Sequence, residues 1–104
     1  MKAIKNTMKT ATKTKNTYVI VRTRTAGVHV GEFVCRNGCE VELKEARRIW
    51  YWQGANTLHE ISLSGVGSGS KISVAVARIV LLDAIEIIDA TDNARASLET
   101  VPWD

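Results

Sequence analysis

The sequence has few of the features that mark metal-binding, secreted or membrane proteins. Only two cysteines, Cys35 and Cys39, occur in 104 residues, and without a second cysteine pair no metal site is expected. The longest mainly apolar stretch, residues 72–88, is interrupted by three charged residues, whereas a membrane helix needs about 20 apolar residues. The basic N-terminus lacks the apolar region of a secretory signal. These absences predict a cytoplasmic protein without a membrane partner.

Positive charge is concentrated at the N-terminus. The net charge is +3, but residues 1–17 contain five lysines, five threonines and no acidic residue, which leaves −2 for the rest of the chain. A segment of this composition buries too little apolar surface to fold alone, although it can contact phosphates non-specifically. We therefore interpret residues 1–16 as a disordered basic tail and residues 17–104 as a single β-rich domain.

The hydrophobic pattern predicts strands over 17–25, 28–36, 39–45, 71–81 and 81–89, with a further strand or extended segment at 46–52. Short helices are expected after Asn56 or Thr57 and after Thr91 or Asp92, because these residues are good N-caps. Leu58, Ile61, Ala94 and Leu98 should face inward, with Leu63 as a further candidate. The predicted fold class is α+β, a small and mostly antiparallel β-barrel or curved sheet of five or six strands with two short helices.

A hairpin is predicted at Asn37-Gly38, because a two-residue turn of this type needs left-handed backbone at both positions. That turn would place Arg36 opposite Cys39 and Val34 opposite Val41, with both valines on a buried face. The thiols of Cys35 and Cys39 would then point to opposite faces, so a disulfide is not expected.

Motifs for catalysis are missing from the sequence. The Gly/Ser-rich stretch SGVGSGS at 64–70 lacks the Gly-Lys-Ser/Thr ending of a phosphate-binding loop and is interpreted as a connector or flexible lid. No nucleophile elbow and no recognisable carboxylate pair is present. We predict a protein that is not an enzyme and uses no cofactor.

The segment RRIWYW at 47–52 is the strongest candidate for a functional surface. On a strand, Arg48, Trp50 and Trp52 share one face, and residues 47, 49 and 51 share the other. A domain with one interior can bury only one of these faces. The other face would then meet a ligand or a subunit, since Trp, Tyr and Arg predominate at interfaces. The predicted ligand-binding residues are Arg48, Trp50, Trp52, Arg22, Arg24, Arg47 and His59.

The segments YVIVRTRTAGVHVGEF, ARRIWYWQGANTLHEIS and AIEII, within residues 18–90, resemble a family of small phage and prophage proteins of uncharacterised function. The matching residues, which include an ARRIWYW-x-GA-x-x-L motif, are Arg22, Arg24, Gly27, His29, Gly31, Arg47, Arg48, Trp50, Trp52, Gly54 and Leu58. The resemblance implies a viral origin, residence in the host cytoplasm and, by association, a role in host takeover or evasion of host defence. It offers no catalytic residues.

Three functions are compatible with these features. The leading hypothesis is a homo-oligomeric "sponge" that sequesters a nucleotide-type host immune signal, with arginines for phosphates and indoles for bases. A second is a protein that inhibits a host defence complex by direct binding through the aromatic face. A third is an accessory protein that binds single-stranded nucleic acid, which the near-neutral domain disfavours.

Overall fold

The computed structural model describes residues 17–102, so the predicted tail lies outside the described residues. Within this range there are six strands and two helices: β1 (Tyr18–Thr23), β2 (Val28–Asn37), β3 (Glu40–Tyr51), α1 (Leu58–Ser64), β4 (Lys71–Ile72), β5 (Val76–Leu81), β6 (Ala84–Asp89) and α2 (Asp92–Thr100). The strands form one antiparallel sheet in the order β4-β3-β2-β1-β6, and β5 also pairs with β3. The predicted α+β class is confirmed, with a curved sheet that does not close into a barrel.

The segments predicted as 39–45 and 46–52 form one twelve-residue strand, β3. Between the pairs Val30–Arg47 and Glu32–Lys44 the register shifts by one residue, and Glu45 has a left-handed φ of 50°. This is a β-bulge, which reverses the alternation of side chains along the strand. As a result, Val41, Leu43 and Ala46 all contribute to one hydrophobic cluster although their spacing is uneven.

Strand β1, which lies between β2 and β6, is buried on both faces, so the expectation of a single interior is wrong. On one face, Tyr18 and Ile20 pack with residues from both helices; on the other, Val19 and Val21 pack with β3 and with the β5–β6 connection. The helices cover the first face. The second face is covered by β3 and by the ends of β5 and β6, which stay close together because only residues 82–83 link them. The helix-side cluster comprises Tyr18, Ile20, Val30, Ile49, Ile61, Ile72 and Leu98, and the strand-side cluster comprises Val19, Val21, Val41, Leu43, Ala46, Leu81 and Ala84.

The hairpin between β2 and β3 forms one residue later than predicted. Asn37 pairs with Glu40 and Arg36 with Val41, so Gly38 and Cys39 make the turn. Gly38 has a φ of +62°, whereas Asn37 stays in the extended strand, which excludes the predicted turn. A second register shift between Phe33 and Cys35 leaves Val34 exposed. The predicted pairing of Val34 with Val41 is therefore wrong. Both cysteines are free.

Both helices begin at residues that the sequence marks as caps. The hydroxyl of Thr57 accepts a hydrogen bond from the Glu60 amide, and that of Thr91 accepts one from the Ala94 amide. The Thr91 hydroxyl also donates to the Leu63 carbonyl at 2.8 Å, which ties α2 to α1. Ile61, Ala94 and Leu98 are buried, as predicted, and Leu58 packs against the helix-side cluster. Leu63 is exposed, so the prediction that it faces inward is wrong. Neither of these helices is long and apolar enough to cross a bilayer.

Candidate functional site

The adjacent arginines of RRIWYW have different roles. Arg47 donates three hydrogen bonds to backbone carbonyls, from Nε to Ser73 (2.8 Å), from Nη1 to Leu98 (3.1 Å) and from Nη2 to Val101 (2.7 Å). Leu98 and Val101 lie at the C-terminal end of α2, where a cation is favourable because the last carbonyls lack intrahelical donors. Arg47 is therefore an anchor that joins β3 to α2, and its guanidinium is occupied.

Arg48 is exposed and points away from α2. Its backbone is fixed by Ser73: the Arg48 amide donates to Ser73 Oγ at 2.8 Å, and the Ser73 amide donates to the Arg48 carbonyl at 2.8 Å. Its side chain extends close to Gly27. Within residues 17–102 no ion pair or side-chain hydrogen bond involves its guanidinium. A rigid backbone thus presents a positive charge that is available to an anion.

The two tryptophans of the segment are separated. Trp50 is 54% exposed, whereas Trp52 packs against the helix-side cluster and its Nε1 donates to the Ala55 carbonyl at 3.3 Å. A register shift between Ile49 and Tyr51, where β3 pairs with β4, breaks the alternation. Arg48 and Trp50 flank the buried Ile49 and both face solvent, but the expectation that Trp52 shares their face is wrong.

Two residues that the sequence reasoning missed lie next to Arg48 and Trp50. The Lys71 ammonium lies 5.7 Å from the centroid of the Trp50 ring, a cation–π distance. His29 pairs with Arg48 across the sheet, is 2% exposed, and donates from Nε2 to the Ala26 carbonyl at 2.9 Å. Burial lowers the pKa of His29, and Arg48 lowers it further, against the opposing effect of the Ala26 hydrogen bond. No local signal identifies either residue, since both reach the site through strand pairing.

A groove of about 220 Å³ lies beside Arg48. Its walls include His29, Ala46, Ser73 and Val76, and we call it the Arg48 groove. Pockets that enclose small-molecule ligands usually measure about 300–1,000 Å³. One copy of the domain can therefore hold part of a nucleotide, such as a phosphate, but cannot enclose the whole molecule.

Of the remaining predicted site residues, Arg24 lies in the turn next to Arg48, and the others lie elsewhere. Arg22 forms an ion pair with Glu86 at 3.1 Å, and His59 is exposed on α1, which covers the opposite face of the sheet. Arg24 is exposed in the turn between β1 and β2, the same turn that contains Gly27. The structure thus keeps Arg48 and Trp50 on one surface and separates both from Arg22, Trp52 and His59. Arg47 also lines the Arg48 groove, but its guanidinium is bound to backbone carbonyls. Across residues 17–102, no three His, Cys, Asp or Glu side chains group as ligands for a metal ion.

A family model described as a domain of unknown function (DUF6948) matches residues 16–98. The chain belongs to this family, and the match spans all six strands, α1 and most of α2, including the Arg48 groove. No curated protein and no solved structure matches the chain. The family description specifies no activity, so function has to be inferred from the surface itself.

Proposed function

For this member of the DUF6948 family, we propose a non-enzymatic, homo-oligomeric binding protein that sequesters a nucleotide-type immune signal in the cytoplasm of a phage-infected host. One observation is central to the proposal. The exposed Arg48, which has no acidic partner within the described residues, lies two residues before the exposed Trp50 on strand β3. A guanidinium binds phosphate oxygens through paired N–H donors, and an indole stacks on any base.

The charges around Trp50 support an anionic ligand. Lys71 places a second cation beside the indole, and Arg24 lies in the turn that adjoins Arg48. A base on Trp50 would keep its phosphate within reach of Arg48 and of the Lys71 ammonium. Sequestration needs only affinity, so this surface requires no nucleophile and no general base. The resemblance to phage proteins supports the viral setting.

The small volume of the Arg48 groove supports an oligomer. A nucleotide bound to one copy would remain largely exposed, whereas a second copy could cover it with its own Arg48 and Trp50. A two-fold axis presents the same residues from both sides. A cyclic dinucleotide, which carries two phosphates and two bases, has matching symmetry. We therefore place this ligand class first among those to be tested.

The test combines native mass spectrometry with calorimetric titration. Cyclic dinucleotides, ADP-ribose-type signals and a short single-stranded oligonucleotide are titrated into the wild type and into Arg48→Ala, Trp50→Ala and Arg36→Ala. Arg36 is a matched control, because it is also exposed but lies beside the hairpin turn at the far end of β3. Loss of one charge-assisted hydrogen bond at about 1.5–3 kcal/mol predicts that Arg48→Ala weakens binding about tenfold or more. Arg36→Ala should bind like the wild type.

If the wild type binds none of the small nucleotides, the proposed sequestering function is wrong. Binding of the oligonucleotide alone would establish the nucleic-acid function instead. A protein that is monomeric with and without ligand would contradict the oligomeric part of the proposal, even if Arg48 binds a nucleotide.

The exposed apolar residues of β5, of β6 and of the link between them favour one alternative, a protein that inhibits a host defence complex by direct binding. Val76 and Val80 of β5, Leu82 of the link and Ile85 of β6 are exposed. Both strands lie at the edges of the sheet, and an apolar edge strand is a common docking site for another chain. Under this alternative, Leu82→Lys should abolish inhibition of the host complex while Arg48→Ala leaves it intact.

A further inference from the structure

A second cavity, of about 580 Å³, lies between the bulge of β3, the connection from β4 to β5 and the C-terminal end of α2. It differs from the Arg48 groove in charge, since three carboxylates reach its walls. Its main lining residues are Tyr18, Glu32, Glu45, Arg47, Glu99 and Val101. We call it the acidic cavity.

Tyr18 gives this cavity a buried polar group that has no hydrogen-bond partner among residues 17–102. The residue is only 4% exposed, and the Arg95 guanidinium lies 4.8 Å from the centroid of its ring. Its hydroxyl makes no hydrogen bond to any residue of the described range 17–102. Buried hydroxyls are nearly always paired, so the hydroxyl of Tyr18, which lines the cavity, retains the capacity to form a hydrogen bond.

The charges of the cavity are not balanced. Glu32 and Glu99 both bind Arg95, at 2.7 Å and 3.0 Å, and Arg47 is committed to backbone carbonyls. Within residues 17–102, Glu45 makes no ion pair. Three carboxylates against two guanidiniums leave one negative charge uncompensated. Glu45 is also the one non-glycine residue of the described range with a positive φ, which places its carboxylate at the bulge that borders the cavity.

We propose that the acidic cavity binds an aliphatic ammonium group, as found in a polyamine or a lysine side chain. An ammonium has three N–H donors, which suit the Glu45 carboxylate and the Tyr18 phenolic oxygen, while Val74 and Val101 offer apolar contact to the alkyl chain. Burial, together with Glu99, raises the pKa of Tyr18 to about 12. The phenol is therefore neutral at physiological pH, and its oxygen can accept a hydrogen bond from the ammonium group. This site does not depend on the function proposed for the Arg48 groove.

The ammonium has two possible sources, a free amine or a lysine of the chain itself, since Lys13 and Lys15 precede Thr17 in the sequence. The test follows amide NMR shifts of the full chain during titration with cadaverine, and with 1,5-pentanediol as its uncharged analogue. The same titrations are run on Glu45→Gln, Tyr18→Phe and Glu40→Gln. Glu40 is the matched control, because it is an exposed glutamate of the same strand and does not line the cavity.

Saturable shifts with cadaverine, confined to residues around the cavity, are expected in the wild type or in a Lys13→Gln/Lys15→Gln variant. Equal affinity for cadaverine in these two proteins would indicate that the site binds a free amine. Tighter binding in the variant would indicate that a lysine of the chain itself competes with cadaverine for the site. Glu45→Gln and Tyr18→Phe should each weaken binding, the former about tenfold or more, while Glu40→Gln should not. The proposal is overturned if neither protein shows a saturable shift or if pentanediol reproduces the shifts. It is also overturned if Glu45→Gln, made in the protein that binds cadaverine, binds it as tightly as that protein does.

Discussion

Arg47 should contribute far more to stability than its neighbour Arg48. Its guanidinium donates to three backbone carbonyls that belong to two separate parts of the chain, residue 73 and the end of α2. A hydrogen bond contributes a net ~1 kcal/mol, and more when the donor is charged. Because the side chain is partly exposed, water can replace some of the lost donors in Arg47→Ala. We therefore expect a loss of about 2–4 kcal/mol, a large part of the ~5–15 kcal/mol that stabilises a typical domain.

Urea denaturation followed by tryptophan fluorescence measures this loss, since Trp52 packs against the helix-side cluster. Arg48→Ala is the matched control and should change the free energy of unfolding by less than about 0.5 kcal/mol, as is usual for an exposed residue without special contacts. Arg47→Lys should recover only a minor part of the loss, because a single ammonium nitrogen cannot reproduce the fork of a guanidinium.

A loss below about 1 kcal/mol in Arg47→Ala would refute the anchoring role. The same conclusion would follow if Arg48→Ala were equally destabilising, because the two arginines would then not differ in structural role.

Three further predictions concern stability. Tyr18→Phe should leave the melting temperature unchanged or raise it when no amine is added, because the lost hydroxyl has no partner within the described residues; a fall of more than about 4 °C, roughly 1 kcal/mol, would show a hidden hydrogen bond. The lowered pKa of His29 means that the unfolded chain takes up a proton near pH 6.5 before the folded protein does, so stability present at pH 7 should decline toward pH 5. Urea titrations at the two pH values should show a smaller decline in His29→Gln than in the wild type. If His59→Gln, a change at an exposed histidine, made the decline smaller by the same amount, the assignment to His29 would be wrong. Gly31→Ala should cost ~1–3 kcal/mol, because its Cβ would lie 2.9 Å from the Lys44 carbonyl oxygen, and an unchanged melting temperature would contradict the close packing at the bulge.

The sequence by itself determined the elements that depend on short-range interactions. Thr57 and Thr91 cap the two helices, because a hydroxyl before a helix satisfies amides only three residues away. Alternation of β-branched residues identified most strands, and the strand content with two short helices was enough to predict an α+β domain with a curved sheet. Among the candidate site residues, Arg48 and Trp50 share the solvent-facing surface that local alternation predicts.

Only the tertiary structure decided which side chains meet across the sheet. The bulges at Glu45 and between Ile49 and Tyr51 shift the alternation, which sends Trp52 to the helix-side cluster and leaves Trp50 exposed. Arg47 became an anchor because the end of α2, about fifty residues later in the chain, packs beside it. A bulge depends on the partner strand, and a cavity such as that around Tyr18 depends on segments that are distant in sequence. Local patterns do not contain this information, since register and curvature are set by the packing of the whole sheet against its two clusters.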